Sequence, residues 1–329
     1  MQYRQFGKSG ITTSVIGLGT WPMGGARYGA VDDAEAARAV EAALDVGITC
    51  FDTAPNYGNG HAEEVLARGL GTRRKDAIIV TKGGLIWDEK SYVHGHNSDA
   101  QWLETNLETS LRRLQTDYVD LFLIHWPDLE RPLEEVAPTL DHLVQSGKTR
   151  AVGVSNFTGE QLRTLSAALT TTSLVTDQLS YHLFDQRWAR SAFEACRELG
   201  IGVMAYGPLA HGLLAGAITR DTVFAADDWR ASGMIFGQAL LTPENRNHNL
   251  DLVDRLKKVA AGLGVTLPQL ALAWVLAHDP VSVALVGARN EAEIQDGAAA
   301  ADVCLSEDTL QEIDAIMAEA VGLSDVLPT

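Results

Sequence analysis

Short runs of consecutive apolar residues alternate along this chain with longer stretches whose apolar residues recur every three or four positions. The runs are "VIGLGTW", "ITCFDTA", "AIIVTKG", "YVDLFLIH", "TRAVGVSN", "LVTDQLSY", "GVMAYGPL" and "VSVALVGA", eight in all. Near-continuous apolar runs of this length are expected of strands buried on both faces. The stretches between them, such as "DDAEAARAVEAALDVG", "AQWLETNLETSLRRLQ" and "LEEVAPTLDHLVQSGK", read as helices. Several open on Asp, Ser or Thr and close at Gly, as helix caps require. In the first, Asp32 or Asp33 caps, alanines and a leucine form one face, and Gly47 stops the helix. Eight β-α alternations predict an α/β fold of the (β/α)8 TIM-barrel type.

Three pieces lie outside the repeat. "YRQFGKSGITTSV", with Gly10 in a turn setting, predicts a hairpin closing the barrel bottom. The stretch from Ala210 to Arg246 has little periodicity, and a loop of that length in a compact domain is usually a lid or binding loop. "SEDTLQEIDAIMAEAVG" reads as an extra capped helix. No linker or low-complexity segment divides the chain, so residues 1–329 are expected to form one domain.

Composition narrows the function. Of 329 residues, 46% are hydrophobic and 21% charged, which supplies apolar mass for a sizeable core. The net charge of −17 argues against nucleic acid as a partner and requires any anionic ligand to be held by local groups. Cys50, Cys196 and Cys304 are an odd number with no CxxC pair, which fits reduced thiols better than disulfides or a metal site. The N-terminus lacks the apolar segment of a signal peptide, and "GVTLPQLALAWVLAH" is too short to span a membrane. A cytoplasmic protein without membrane partners is expected.

Barrel sites gather at the C-terminal ends of the strands. The strand ends here supply Trp21, Asp52, Lys82, His125, Ser155 with Asn156, Gln178, Tyr206 and Gly287. Tyr57 shares the loop of Asp52, so neighbouring strand ends can aim a carboxylate, a phenol, an ammonium and an imidazole at one space. Singly, each has a plainer reading: a loop cap, a packing tyrosine, a solvated lysine, a core histidine. Together at adjacent strand ends they point to proton transfer.

The motifs "IGLGTW", "FDTAPNYG", "VTKGG", "LIHWPD", "GVSNF", "DQLSY", "AYGPLAHGLL" and "VGARN" resemble, in order and along nearly the whole chain, those of the aldo-keto reductases. The likeness is to bacterial members related to potassium-channel β subunits. It implies an oxidoreductase that transfers a hydride between NADP(H) and a carbonyl or alcohol, acting as an aldehyde or ketone reductase of sugar or xenobiotic type. It implies a catalytic set of Asp52, Tyr57, Lys82 and His125: the phenol as proton donor, the ammonium lowering its pKa, the carboxylate holding the ammonium and the imidazole orienting the substrate oxygen. Nicotinamide supplies the hydride.

The same resemblance assigns the cofactor contacts. Asp52 and the Gly19, Thr20 and Trp21 turn border the nucleotide. Ser155, Asn156 and Gln178 hold the carboxamide, and Tyr206 stacks on the ring. Gly207, Pro208, Leu209, Gly212 and Leu214 line the pyrophosphate. Gly287, Ala288, Arg289, Glu293 and Asp296, where the last helix begins, face the adenosine end. Trp21, Tyr57, His125 and Trp126 wall the substrate pocket, and Trp229 caps it from the long loop.

There is no G-x-G-x-x-G Rossmann fingerprint. Two residues depart from the family pattern: Glu293 stands where Arg or Gln is usual, and Gly297 where an adenine-contacting Asn is common. The family favours NADP(H); these two residues leave NAD(H) or dual use open. His211 replaces a commoner Gln as a loop contact. His94 and His96 in "YVHGH" read as surface residues rather than metal ligands. Two rivals remain: a slowly turning cofactor-binding regulatory subunit of the channel-β kind, and a barrel isomerase or lyase. Substrate, physiological direction and oligomeric state are not encoded legibly.

Overall fold

In the computed structural model, which describes residues 1–25, 31–225, 228–288 and 290–328, every one of the eight apolar runs forms a strand of a closed parallel barrel. Numbering strands in chain order, the N-terminal hairpin is β1 (Tyr3–Gln5) and β2 (Thr12–Ser14). The barrel strands are β3 (Ile16–Gly19), β4 (Cys50–Asp52), β5 (Ile78–Gly83), β8 (Val119–Ile124), β9 (Thr149–Ser155), β10 (Leu174–Ser180), β11 (Gly202–Tyr206) and β12 (Val281–Gly287). They pair in that order, and β12 closes on β3. A second hairpin, β6 (Leu85–Trp87) and β7 (Val93–His96), lies between β5 and the next helix.

The helices are α1 (Asp33–Asp45), α2 (His61–Leu70), α3 (Ala100–Leu114), α4 (Leu133–Gln145), α5 (Gly159–Ala168), α6 (Arg187–Leu199), α7 (Arg246–Gly262), α8 (Leu267–Leu276), α9 (Glu291–Ala299) and α10 (Glu307–Met317). Local sequence sets their ends. Asp32 caps α1 by accepting from the Ala34 and Glu35 N–H groups, and Gly47, at φ +86°, takes the left-handed turn that ends the unit. Capping boxes Thr158/Gln161 and Thr266/Gln269 start α5 and α8. The "LALAWVL" run is α8, buried along its length against β12, which explains its apolarity without a membrane. No single helix among the described residues is long and apolar enough to cross one.

The core has two layers. Apolar residues on the outer barrel face pack under the helices. A separate cluster fills the lumen: Cys50, Val80, Leu121, Leu123, Ala151, Met204, Val283 and Leu285, plugged below by Phe6 and Ile11 from the hairpin and its turn. Strand side chains alternate between faces. Stepping by two from the lumen residues toward the strand ends gives Asp52, Lys82, His125, Ser155, Tyr206 and Gly287, with Gly19 paired beside Gly287. The same alternation that packs the lumen therefore aims these residues into its mouth.

Candidate active site

Lys82 lies at the centre of the mouth, fully buried. Its Nζ donates to the Asp52 carboxylate at 2.8 Å, to the Thr53 carbonyl at 2.9 Å and to the Tyr57 hydroxyl at 3.2 Å. The ammonium also lies 4.9 Å from the Tyr57 ring centroid. Gln178 donates to the other side of Asp52 at 2.7 Å. The His125 ring stands edge-on to Tyr57, centroids 5.9 Å apart.

Two glycines bring the walls together. A Cβ on Gly58 would meet the Gly24 carbonyl oxygen at 2.1 Å, and one on Gly24 would meet the Gly58 amide at 2.7 Å. Only bare backbones can touch this closely, and the contact lays the Trp21–Gly24 turn against the Tyr57 loop. Trp21 stacks on Tyr57 at 6.1 Å, and Trp229 of the long loop stacks on Trp21 at 6.0 Å. Trp229 in turn meets His211 at 5.0 Å and Phe236 at 5.6 Å, and Phe236 stands 5.9 Å from Tyr206. An aromatic cluster of His211, Trp229 and Phe236 thus brings the described parts of the Ala210–Arg246 stretch over the mouth; of the two loop aromatics Trp229 and Phe236, the sequence pointed to Trp229 alone.

Burial governs the electrostatics. It pushes the Asp52 carboxyl up and the Lys82 ammonium down, each opposed by the charge of the other. Their shared hydrogen bonds favour the charged pair. The His125 imidazole is driven well below its usual range by burial and then by Lys82 and His96, so it is neutral near pH 7. One expectation is corrected here: the Tyr57 phenol is raised well above its usual value, by burial and by Asp52, rather than lowered. Burial strips the phenolate of its hydration, and Asp52 offsets much of the field Lys82 exerts.

On the far side of Lys82, Ser155 Oγ donates to the Gln178 carbonyl at 2.8 Å, Asn156 Nδ2 donates to Ser155 Oγ at 3.0 Å, and the Tyr206 hydroxyl donates to Asn156 Oδ1 at 3.0 Å. Asn156 sits at φ +64°, held by Nδ2 on the His125 carbonyl. These residues suit a nicotinamide nucleotide: amides and a hydroxyl are gathered beside a half-buried aromatic ring. The buried Thr20 hydroxyl, next to the Asp52 backbone, has no hydrogen-bond partner among the described residues. Gly207 lies under the His211 ring, while Pro208 is buried and Leu209 and Gly212 are half-buried in the turn that follows. Gly287 is open at its strand end and Ala288 is buried behind it.

The remaining expected cofactor contacts lie in the core layer and around α9. The Leu214 side chain is wholly buried in the layer between barrel and helices, so a pyrophosphate contact there would have to come from its backbone. Asp296 accepts from Thr266 Oγ1 and Gln269 Nε2, which ties α9 to the start of α8. Gly297 faces Val286 and Leu272. Arg289 lies outside the described residues. Glu293 is half-buried in the first turn of α9, its N–H donating to the Asn290 cap.

The histidines of "YVHGH" are on a strand, not in a loop. His94 is exposed and faces Asp88, whereas His96 stacks on Trp126 with centroids 6.5 Å apart. The signal was present: "LIW" and "VHGH" flank the turn-rich "DEKSY". Among the described residues no cluster of metal-ligating side chains forms.

A phenol, an ammonium and a neutral imidazole converging on one aromatic-walled space suit proton transfer to an oxygen during carbonyl–alcohol interconversion. The chain belongs to the aldo/keto reductase family, whose model matches residues 15–318. It is 35% identical to the aldo-keto reductase YhdN of Bacillus subtilis, over 98% of this chain and 95% of that protein. It is 31% identical to the NADH-specific methylglyoxal reductase of Escherichia coli, over 92% of this chain and 94% of that one. The structure of glycerol dehydrogenase AKR11B4 from Gluconobacter oxydans superposes with a TM-score of 0.87 at 36% identity, covering 99% of this chain and 98% of that one. The chain is therefore a nicotinamide-dependent oxidoreductase acting on small carbonyl or alcohol substrates.

Proposed function

We propose that this chain reduces aldehydes or ketones with Tyr57 as the proton donor, and that it favours NADPH over NADH by a modest margin. The observation that carries the first part is the Lys82 ammonium, shared among Asp52, the Thr53 carbonyl and the Tyr57 hydroxyl. A bound reduced nicotinamide supplies the hydride. The Tyr57 phenol gives its proton to the oxygen of the substrate, which becomes an alcohol. Lys82 stabilises the phenolate left behind, and Asp52 keeps Lys82 charged and aimed. The neutral His125 donates a hydrogen bond that orients the substrate oxygen, with Trp21 and Trp126 as pocket walls. Ser155, Asn156 and Gln178 would hold the carboxamide and Tyr206 the ring face.

A phenol raised by burial is still acid enough here. The developing alkoxide is a far stronger base than a phenolate, so the proton moves downhill. Tyr57→Phe keeps the ring stack on Trp21 and removes only the proton. Turnover should fall ~10²-fold or more, the scale of general acid catalysis, with cofactor affinity nearly unchanged. Multiple-turnover NADPH oxidation with simple aldehydes, read beside cofactor fluorescence titration, tests both halves. Near wild-type turnover in the variant removes Tyr57 from the role.

For the cofactor, the family habit supports NADPH, and Arg289 is by sequence the cation beside the adenosine end. Against it stand Glu293 in the first turn of α9 and the relative named for NADH. Dissociation constants for both reduced cofactors decide between them.

A further inference from the structure

We propose that His96, on the β6–β7 hairpin, is a specificity-determining residue that hydrogen-bonds a hydroxyl group one or two carbons from the substrate carbonyl. The inference rests on the carbonyl-reducing site described above and adds to it a residue from outside the four-residue cluster.

The hairpin is built over the mouth. It leaves the barrel directly after the strand that carries Lys82, and the Asn97 N–H returns to the Gly84 carbonyl at 2.8 Å. Trp87 Nε1 donates to Asn59 Oδ1 at 3.0 Å, and the Asn59 N–H donates to Ser91 Oγ at 3.0 Å. The hairpin is thus pinned at one end to the Lys82 strand and at the other to the Tyr57 loop. In β7, His94 is exposed and pairs with Asp88, while His96, at the end of the strand nearer the barrel, is half-buried against Trp126. Its ring lies at 24° to that of Trp126, the residue after His125, and close enough to His125 to act on that imidazole's charge.

The chemistry of this position favours an uncharged hydroxyl. The His96 ring nitrogens have no hydrogen-bond partner among the described residues, although the ring is only half exposed. Burial lowers its pKa, with Asp128 opposing, so the ring is neutral at physiological pH. A neutral imidazole carries one donor and one acceptor, which matches a hydroxyl. A phosphate would call for a cation. The remaining walls, Trp21, Tyr57, Trp126 and Trp229, are mainly apolar faces, so a polar group at His96 makes the pocket discriminate rather than merely enclose. A site built to bond a hydroxyl disfavours the analogue lacking it, because its own polar group is then left unpaired.

The test uses a matched pair, glyceraldehyde and propanal, which differ only in hydroxyl groups. Wild-type enzyme with NADPH is expected to show kcat/KM at least ~10-fold higher for glyceraldehyde. His96→Ala should lower kcat/KM for glyceraldehyde ~10- to 100-fold, mostly through KM, and leave propanal within about threefold. His96→Asn, which keeps a donor and an acceptor, should recover part of the loss. An equal loss on both substrates, or on neither, overturns the proposal, as does a wild type that reduces propanal without hydroxyl preference. Those results leave carbonyl reduction standing. Absence of NADPH and NADH oxidation with either aldehyde in wild type, despite tight cofactor binding, overturns carbonyl reduction itself and this inference with it.

Discussion

Lys82 is the residue on which the others depend. Three acceptors share one ammonium that has no access to water, so the site exists only while the charge is balanced. Lys82→Met leaves Asp52 buried without its cation and Tyr57 without the charge that favours phenolate. Asp52→Asn keeps the ammonium and most of the geometry. The lysine variant should therefore lose more turnover than the asparagine variant; the reverse order would exchange their roles. The raised phenol gives a pH signature with a defined sign. Reduction needs protonated Tyr57, which persists below its raised pKa, so kcat for reduction should stay level through neutral pH and fall only far into the alkaline range. Oxidation needs the phenolate and should climb with pH. Lys82→Met should impair oxidation more than reduction, and bell-free, parallel profiles in both directions would contradict a titrating phenol. These residues were legible in the sequence because strand ends and alternation are sequence properties. The direction of the phenol shift was not legible, because it depends on how deeply the phenol is buried and on how fully Asp52 cancels Lys82.

At the scale of elements, the eight strands and the caps were legible because short-range patterning determines them. The β6–β7 hairpin and the closure of the long loop were not. Both depend on contacts between residues distant in sequence, such as Trp87 with Asn59 and Trp21 with Trp229. The clearest such contact is Arg187 at the start of α6. Buried, it pairs with Asp185 at 2.7 Å and donates to the Phe236 carbonyl of the long loop at 2.8 Å and to the Val326 carbonyl of the C-terminal tail. Phe236 faces Tyr206, so one guanidinium ties the tail and the loop to the shelf expected to carry the nicotinamide. Arg187→Met should cost about 3–5 kcal/mol, because it strands the buried Asp185 charge. Hydrogen exchange should rise first around 233–242 and 320–328. Exchange that rises evenly over the barrel would mean that Arg187 supports the fold as a whole and not these two segments.

The whole molecule carries a net charge of −17 and takes an anionic cofactor. The two facts act over different distances. Long-range repulsion is felt across roughly 30 Å at 0.01 M salt but only about 8 Å at 0.15 M. Contacts to the nucleotide are a few ångströms long and are screened far less. Salt should therefore remove the repulsion before it weakens the binding contacts. NADPH carries one phosphate more than NADH, about −1.5 to −2 charges near neutral pH, so it gains more from that removal. The affinity ratio of NADPH to NADH should rise as salt is raised from 0.01 to 0.15 M. Glu293, half-buried in the first turn of α9 where the adenosine end is expected, should add a local part to the same repulsion. Removing its charge in Glu293→Gln should raise the ratio at every salt concentration by several-fold to ~10-fold, about 1 kcal/mol or somewhat more. It should also flatten the salt dependence little, since the net charge changes only from −17 to −16. Isothermal titration of both cofactors at the two salt concentrations, on wild type and variant, checks all three statements. A ratio that falls with salt in wild type would mean that local cations outweigh the molecular field. A ratio unchanged by Glu293→Gln would place that carboxylate away from the ribose.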